Sequence, residues 1–139
     1  MKDKYKEWIS YISKDIELPY LKSLEAYGLK KDEMDLVLSK VFNQPVIYIR
    51  PMHGVYNKNK KIIYYETTNG DWEKYEYDNN SNKIYYEESS GYWCKREYDT
   101  NGNVIYREDS NGGWEKYEYD TNGNQIYYED SNGYIVDNR

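Results

Sequence analysis

In the first third of the chain, apolar side chains recur at the spacing of α-helices. The first predicted helix carries its apolar stripe on Tyr5, Trp8, Ile9, Ile12 and Ile16. Pro19 is typical of a first helical turn and predicts a second helix over Leu18–Tyr27, ended by Gly28. A third helix is predicted from Asp32, with its stripe on Met34, Val37, Leu38, Val41 and Phe42. Residues 1–45 are therefore predicted to form a helical head.

The end of the head is marked by Asn43-Gln44-Pro45, which stops the third helix. Val46–Arg50 is alternately apolar, as in a β-strand, so residues 46–55 are predicted to be a strand and connector. The second and third helices could instead form a DNA-reading helix-turn-helix. The prospective recognition helix, however, begins Asp32-Glu33-Met34-Asp35, which is acidic where phosphates would lie. A packing role for these helices is therefore favoured.

The rest of the chain, residues 56–139, repeats its apolar and polar pattern every 21 residues without insertion or deletion. The residues that keep this step are Trp72, Trp93 and Trp114; Tyr77-Asp78, Tyr98-Asp99 and Tyr119-Asp120; Ile63-Tyr64, Ile84-Tyr85, Ile105-Tyr106 and Ile126-Tyr127; and Gly70, Gly91, Gly112 and Gly133. Self-similarity at such a period indicates a stacked repeat architecture. The segment is therefore predicted to hold four units.

Each unit contains two runs of strand-forming residues, such as Trp114–Tyr119 and Gln125–Glu129. The runs are separated by the turn sequences Asp120-Thr121-Asn122-Gly123-Asn124 and Ser131-Asn132-Gly133. Asn-Gly between two such runs is a strong hairpin signal, which gives about eight strands. The predicted fold class is therefore α+β, with N-terminal helices followed by an extended antiparallel β-meander of four 21-residue hairpin repeats.

The odd repeat length constrains the two faces of the sheet, because equivalent faces require one odd connection per unit. The Asp-x-x-Gly-Asn turn can supply it, with Gly102 or Gly123 in the left-handed bulge position. Ser81 takes that position in one unit and predicts a looser turn. In this register one face carries Trp114, Lys116, Glu118, Ile126 and Tyr128. The other face carries Glu115, Tyr117, Tyr119 and Tyr127.

The repeat units also resemble a known family. Tyr98-Asp99-Thr100-Asn101-Gly102-Asn103 and Tyr119-Asp120-Thr121-Asn122-Gly123-Asn124 resemble YD repeats, the Tyr-Asp-x-x-Gly-Asn/Arg repeats of Rhs-type polymorphic toxins and related proteins. The resemblance covers residues 56–139 and implies a β-hairpin unit. Four units are too few for the shell that such repeats wind around a toxin, so the resemblance implies a short array of the kind found in phage and mobile-element proteins.

The charge of the chain is unevenly distributed, with a formal net of −6. Residues 1–55 carry 9 Lys and Arg against 8 Asp and Glu, whereas residues 56–139 carry 10 against 17. Because nucleic-acid binding depends on Lys and Arg, direct binding to nucleic acid is not expected. An acidic surface instead suits a basic protein partner, such as a nucleic-acid-binding enzyme. Neither a signal segment nor an apolar membrane span is visible, so a cytoplasmic protein without membrane contact is expected.

Candidate catalytic and metal-binding residues are few. His53 is the only histidine and Cys94 the only cysteine, so neither a zinc site nor an intrachain disulfide is expected. Asp99-x-Asn101-x-Asn103 resembles part of a calcium loop, but Val104 and Ser110 stand where that loop needs Gly and Glu. The recurring carboxylates are equivalents rather than one catalytic pair: Glu66, Glu87, Glu108 and Glu129. No catalytic residue, cofactor or metal is therefore predicted.

The candidate binding surface consists of aromatic and acidic repeat residues: Trp72, Trp93, Trp114, Tyr77, Tyr98, Tyr117, Tyr119, Tyr127, Glu76, Glu97 and Glu118. Tyr and Trp are favoured at the centres of protein interfaces. The favoured function is a non-enzymatic inhibitor of phage or mobile-element type, which covers the basic nucleic-acid-binding surface of a host defence nuclease, as anti-CRISPR or anti-restriction proteins do. The alternatives are an immunity or antitoxin protein, a repeat protein that binds cell-wall carbohydrate, and a scaffold that assembles through its edge strands. The sequence leaves open the oligomeric state and the sheet face that the head covers.

Overall fold

The computed structural model describes residue 21 and residues 28–49 and 54–139. Its elements are α1 (Lys31–Val41), β1 (Val46–Ile49), β2 (Gly54–Asn57), β3 (Ile62–Glu66), β4 (Trp72–Tyr77), β5 (Lys83–Glu88), β6 (Trp93–Tyr98), β7 (Val104–Asp109), β8 (Trp114–Tyr119), β9 (Gln125–Asp130) and β10 (Ile135–Asp137). The ten strands lie in the sheet in chain order, and the described pairings are antiparallel. The predicted α+β class with an antiparallel β-meander is confirmed. The chain divides into two compact units, residues 1–73 and 74–139.

The helix α1 is the third helix that the sequence predicts, and it begins one residue before Asp32. The Lys30 N–H donates to the Glu33 carboxylate at 3.3 Å, which satisfies one of the free N–H groups of a helix start. The predicted apolar stripe is confirmed as buried or half-buried: Met34, Val37, Leu38, Val41 and Phe42. Asn43, with a left-handed φ of 53°, follows the end of the helix. The first two predicted helices lie outside the described residues, apart from Leu21.

The core of the first unit forms where α1 packs on β1 and its neighbouring strands. The register aligns Tyr48 with Val55 and Val55 with Tyr64, and each of the three is at most 1% exposed. Burying an apolar side chain such as Val55 contributes about 1.5–3 kcal/mol. The Tyr48 N–H donates to the Asp35 carboxylate at 2.7 Å, which ties the helix to the strand. The strand predicted from Val46 is confirmed as β1, with alternate residues buried.

In the second unit, the turns on either side of β7 are closed in the same way. In the β6–β7 turn, the Asp99 N–H donates to the Asn103 carbonyl at 2.9 Å and the Gly102 N–H donates to the Asp99 carbonyl at 3.1 Å. The β7–β8 turn has the same two hydrogen bonds around Asp109. Gly102 and Gly112 have φ of 85° and 82°, in the left-handed region that glycine favours. Both connections are therefore short odd loops, whereas the sequence predicts only one.

The β4–β5 turn has Ser81 in the place of Gly102, and the looser turn predicted there is not found. The Ser81 N–H donates to the Asp78 carbonyl at 3.0 Å, and the Asp78 N–H donates to the Asn82 carbonyl at 2.9 Å. These are the hydrogen bonds of the glycine turn. Ser81 has a φ of 62°, and a side chain in this region costs roughly 1–2 kcal/mol. The turn is therefore closed but strained.

A β-bulge in β9 determines which of its side chains share a sheet face. Glu118 lies opposite Tyr127, whereas Tyr119 lies opposite Gln125, so Ile126 is an extra residue on β9. The β6–β7 pair has the same register shift. One extra residue reverses the face of the side chains beyond it. In the β6–β7 and β8–β9 pairs, the bulge thus compensates for the second odd loop, and Trp93 and Trp114 stay on one face.

The bulge also corrects the predicted faces of β9. The prediction that Tyr128 shares the face of Trp114 is wrong, and so is the prediction that Tyr127 shares the face of Tyr117. Tyr127 instead lies on the face of Trp114, and Tyr128 lies directly opposite Tyr117. The physical reason is that Ile126, the bulge residue, cannot be told from an ordinary strand residue by its apolar side chain.

Candidate protein-binding face

One face of strands β6–β9 carries tryptophans among charged side chains, and we call it the tryptophan face. Cross-strand pairing and alternation along each strand give its residues: Trp93, Lys95, Glu97, Tyr106, Glu108, Trp114, Lys116, Glu118, Tyr127 and Glu129. The lysines of this set, together with Glu97 and Glu118, are exposed, and the other residues are half-buried. Every side chain of the tryptophan face is therefore at least partly open to solvent.

The two indole rings of the tryptophan face are each held by a lysine two residues further along the same strand. The Lys95 ammonium lies 5.0 Å from the centroid of the Trp93 ring. The Lys116 ammonium lies 5.0 Å from the Trp114 ring. Such cation–π contacts contribute about 0.5–1 kcal/mol at exposed sites. They also orient both rings before any partner binds.

The tyrosines of this face are held by carboxylates in a similar way. The Tyr106 hydroxyl donates to Glu108 at 2.9 Å, and the Tyr127 hydroxyl donates to Glu129 at 2.8 Å. The hydrogen bond donated to Glu108 is the main cause that raises the pKa of Tyr106, and the bond donated to Glu129 does the same for Tyr127. The Arg139 guanidinium lies 4.0 Å from the Tyr127 ring centroid. The face is thus a pre-ordered set of rings and charges.

An open groove of about 640 Å³ lies against this part of the sheet, and we call it the acidic groove. The charged residues of its lining are Glu97, Asp99 and Glu118, with Lys116 as the only cation. Tyr106 and Tyr127 of the tryptophan face also line it, together with Tyr117 and Tyr119 of the opposite face. Concave surfaces with an excess of one charge focus the electrostatic potential. The acidic groove therefore favours a positively charged group.

The corresponding positions of the first unit are Tyr64, Glu66 and Trp72, and the head contacts the first two of them. Tyr64 and Glu66 are 0% and 3% exposed. The Leu21 N–H donates to Glu66 Oε1 at 2.6 Å, and the Tyr64 hydroxyl donates to the same oxygen at 2.8 Å. The rings of Phe42 and Trp72 lie 5.7 Å and 6.5 Å from the Tyr64 ring. In the first unit, this set of side chains already binds a backbone N–H and an aromatic ring.

The opposite face of β8 and β9 is built from tyrosines that pack on one another. The Tyr117 ring lies 5.3 Å from Tyr128 and 6.4 Å from Tyr119, measured between centroids. Its hydroxyl donates to Glu115 at 2.7 Å. Burial, followed by this hydrogen bond, raises the pKa of Tyr117 well above its ordinary value. These contacts give Tyr117 a structural role within the sheet.

The tyrosines that precede the turn aspartates also have internal partners. The Tyr98 hydroxyl donates to the Lys83 carbonyl at 2.7 Å, and the Tyr119 hydroxyl donates to the Val104 carbonyl at 2.8 Å. Both acceptors are backbone oxygens of the preceding strand. The hydroxyls of these two candidate binding residues are therefore used to hold hairpins together.

The turn aspartates are bound by the turns that they begin. The Asp99 Oδ1 accepts the N–H groups of Asn101 and Asn103, both at 2.9 Å, and Oδ2 accepts the Asn103 amide at 3.1 Å. Asp78 and Asp120 make the same contacts in their own turns. These hydrogen bonds give the Asp-x-Asn-x-Asn segment the turn-forming role that the sequence favours over calcium binding.

The structure brings five of the candidate binding residues together on the tryptophan face: Trp93, Trp114, Glu97, Glu118 and Tyr127. Tyr98, Tyr117 and Tyr119 have the internal contacts described above. Trp72 is half-buried in the first unit, and its ring lies 6.5 Å from the Tyr64 ring. On β4, Glu76 is exposed and Tyr77 is half-buried, and burial raises the pKa of Tyr77.

Sequence reasoning missed Tyr106, Glu108 and Glu129 of the tryptophan face, and Asp99 of the acidic groove. The sequence could have indicated Tyr106 as a binding residue, because it stands 21 residues before the candidate residue Tyr127. Both tyrosines lie on the tryptophan face of the sheet. The bulge at Ile126, however, concealed which positions share that face.

Within the described part of the chain, no helix combines the length and the apolar content that crossing a membrane requires. No model of a known protein family matches this chain, and no curated protein matches it.

Proposed function

We propose that the tryptophan face of residues 74–139 binds a basic surface of another protein, and that the chain acts as a non-enzymatic inhibitor in the cytoplasm. The observation that carries this proposal is the contact between the head and the sheet in the first unit. There, Glu66 accepts a backbone N–H from the head and Tyr64 contacts the Phe42 ring of the head, so both are buried. In the second unit, the same residue types are half-buried and therefore partly open to solvent. A surface with this chemistry is suited to bind a second polypeptide.

The charge of the acidic groove favours a basic partner. Glu97 and Glu118 are exposed, and Lys116, the only cation in the lining, is held over Trp114. Complementary charge increases the rate of association and excludes wrong partners. The proposed partner is therefore a nucleic-acid-binding enzyme, whose own basic channel would be covered. A host defence nuclease, inhibited by a phage or mobile-element protein, is the partner of this class that we favour.

We also propose that residues 56–139 are four copies of one 21-residue hairpin unit of the YD-repeat kind. The support comes from contacts that recur at this step. The same turn hydrogen bonds surround Asp78, Asp99 and Asp120. The same Tyr–Glu contact occurs at Tyr106 and Tyr127. A short array of such units would present one binding surface several times.

The proposed function is tested by capturing partners from a lysate of the source cells with the tagged full chain, at low and at high salt. The captured proteins are identified by mass spectrometry. A basic nucleic-acid enzyme, lost at high salt and inhibited when the chain is added to its assay, is the expected result. Capture of a toxin encoded beside this chain would assign it an immunity function instead. Retention on cell-wall glycan, without a protein partner, would refute the inhibitor proposal.

Matched charge variants locate the contact. The Glu97→Gln/Glu118→Gln variant removes two exposed carboxylates from the acidic groove. The Asp32→Asn/Asp71→Asn variant removes two exposed carboxylates from the first unit. We expect the first variant to lose the partner and the second to retain it. Equal retention by both variants would show that the groove is not the docking surface.

A further inference from the structure

A second cavity, of about 260 Å³, lies within the unit formed by residues 74–139, and we call it the cationic cavity. Its lining includes Lys83, Arg96 and Arg107, and none of its eight lining residues carries a carboxylate. The unit as a whole is acidic, so this local excess of positive charge is unexpected. Cys94, which is 5% exposed, also contributes to the lining.

The cationic cavity is built where the chain departs from its own repeat. Arg96 stands 21 residues after Tyr75 and 21 before Tyr117, and Arg107 stands likewise between Tyr86 and Tyr128. The flanking tyrosines form ring pairs, with centroid distances of 5.3 Å for both Tyr75–Tyr86 and Tyr117–Tyr128. In the middle copy, a pair of arginines thus replaces a pair of packed rings.

The third departure is Cys94, which stands where Glu73 and Glu115 stand in the neighbouring copies. Glu115 accepts a hydrogen bond from Tyr117, the residue two places further along its strand. A glutamate at position 94 would lie in the same relation to Arg96 and would neutralise it. The cysteine therefore removes an internal anion from the cavity. All three departures increase the positive charge at one place.

The two arginines are directly opposed across β6 and β7. Like charges in this position destabilise a sheet. Arg107 is partly neutralised, because its guanidinium lies 3.2 Å from Asp109 and 3.9 Å from Glu115. Arg96 forms no ion pair or side-chain hydrogen bond with any residue that the structure describes. An anion between the two guanidinium groups would remove this electrostatic cost.

The geometry points to a small phosphate-bearing ligand, and we propose that the cationic cavity binds its phosphate group between Arg96 and Arg107. The planar guanidinium group matches the geometry of phosphate oxygens and can donate two parallel hydrogen bonds. Tyr92 provides a third donor, because its oxygen accepts from Arg107 at 3.1 Å and its own proton is left to donate. Lys83 adds a further positive charge, held 4.3 Å from the Tyr75 ring centroid. This site is separate from the tryptophan face and does not depend on its function.

A single phosphate group agrees with the acidity of the surrounding unit better than a polyanion does. A nucleic-acid backbone would have to pass the carboxylates of Asp109 and Glu115, which lie beside Arg107 and repel it. A small ligand exposes only one phosphate and can be enclosed. The proposed ligand therefore presents one phosphate group, either as a phosphate monoester or as the free phosphate ion.

The test is isothermal titration calorimetry of the full chain with inorganic phosphate, adenosine monophosphate and phosphotyrosine as probes. We expect saturable binding with one site per chain for at least one probe. Preference for the free ion, the nucleotide or the aryl phosphate would identify the source of the phosphate group. Absence of saturable binding for all three probes at millimolar concentration would overturn the proposal.

Two variants and one control make the test specific. The Arg96→Tyr/Arg107→Tyr variant restores the ring pair found in the neighbouring copies, so it is expected to fold and to bind at least about tenfold more weakly. Cys94→Glu supplies an internal carboxylate and is expected to weaken binding in the same way. Lys58→Gln/Lys61→Gln removes two exposed cations from the first unit and should leave binding unchanged. Equal weakening in this control would show a general charge effect and refute the site.

Discussion

Tyr119 and Val104 are joined by a hydrogen bond from the tyrosine hydroxyl to the backbone carbonyl at 2.8 Å, across 15 residues of sequence. Val104 is the first residue of β7 and Tyr119 is the last residue of β8. The bond therefore closes the open end of this hairpin. Tyr98 makes the equivalent bond to Lys83. Tyr98 and Tyr119, each of which stands before a turn aspartate, thus fasten their own strands to the preceding ones.

Removing this hydroxyl is expected to weaken the hairpin. Tyr119→Phe keeps the ring but leaves the Val104 carbonyl without this donor, which costs about 1 kcal/mol. The free energy of unfolding, measured by urea titration, checks the value. Tyr134→Phe is the control, because Tyr134 is 61% exposed. An equal loss in the control would contradict a specific role for the Tyr119 hydroxyl.

Relieving backbone strain at Ser81 is expected to stabilise the chain. Ser81 has a φ of 62°, so Ser81→Gly should raise the free energy of unfolding by about 1 kcal/mol. Gly123→Ala should lower the free energy of unfolding by a similar amount, because Gly123 has a φ of 82°. A Cβ at Gly123 would meet nothing within 4 Å, so backbone strain alone would cause the loss. Thermal melts of both variants test the pair. If the melting temperature shifted in the same direction in both variants, the explanation by backbone strain would be contradicted.

The turn aspartates are expected to make stability sensitive to acid. Hydrogen bonds from backbone N–H groups are the main cause that holds the pKa values of Asp78, Asp99 and Asp120 below their ordinary value of 3.8. A lowered folded pKa contributes stability that is present above pH 3.8 and is lost as the pH falls below it, through the folded pKa. Melting temperatures measured from neutral pH downwards should therefore fall steeply in this acidic range.

The matched variant for this experiment replaces the three aspartates with asparagine. The amide oxygen can still accept the backbone hydrogen bonds, but it does not titrate. The variant should lose part of the stability at neutral pH and show a flatter acid limb. An unchanged acid limb would mean that other carboxylates cause the acid sensitivity.

Glu66 is expected to hold the head to the sheet. Glu66→Ala removes the acceptor of both the Leu21 N–H and the Tyr64 hydroxyl, which are buried, at a cost of about 1–3 kcal/mol. Glu108→Ala, at the corresponding half-buried position, should cost much less because the Tyr106 hydroxyl can turn to water. Urea titration of both variants gives the comparison. Equal costs would contradict the special role of Glu66 in holding the head.

Much of the β-meander could be predicted because its turns have a local chemical signature. β8 matches the predicted run from Trp114 to Tyr119, since the turn that follows begins at Asp120, whose carboxylate accepts its own turn's N–H groups. The helix from Asp32 could likewise be predicted from one apolar stripe. Local patterns of this kind depend on neighbours in sequence, and the sequence shows them directly.

The faces of β9 and the cationic cavity could not be predicted in the same way. The bulge at Ile126 depends on the register with β8, which no single strand reveals. The cavity depends on Arg96 lying opposite Arg107, which requires the same knowledge of pairing. The net charge also gave no sign of the cationic cavity, because the negative charge of the whole segment outweighs a local cluster of cations.

Hydroxyl-radical footprinting of the chain, alone and in complex with the captured partner, tests most directly whether the tryptophan face is the docking surface. The method reports the solvent accessibility of each aromatic side chain. Our account predicts that Trp93, Trp114 and Tyr127 become protected in the complex, whereas Tyr92 and Tyr134 keep their reactivity. Protection of Tyr92 and Tyr134, with Trp93 and Trp114 unchanged, would contradict it and place the partner elsewhere on the chain.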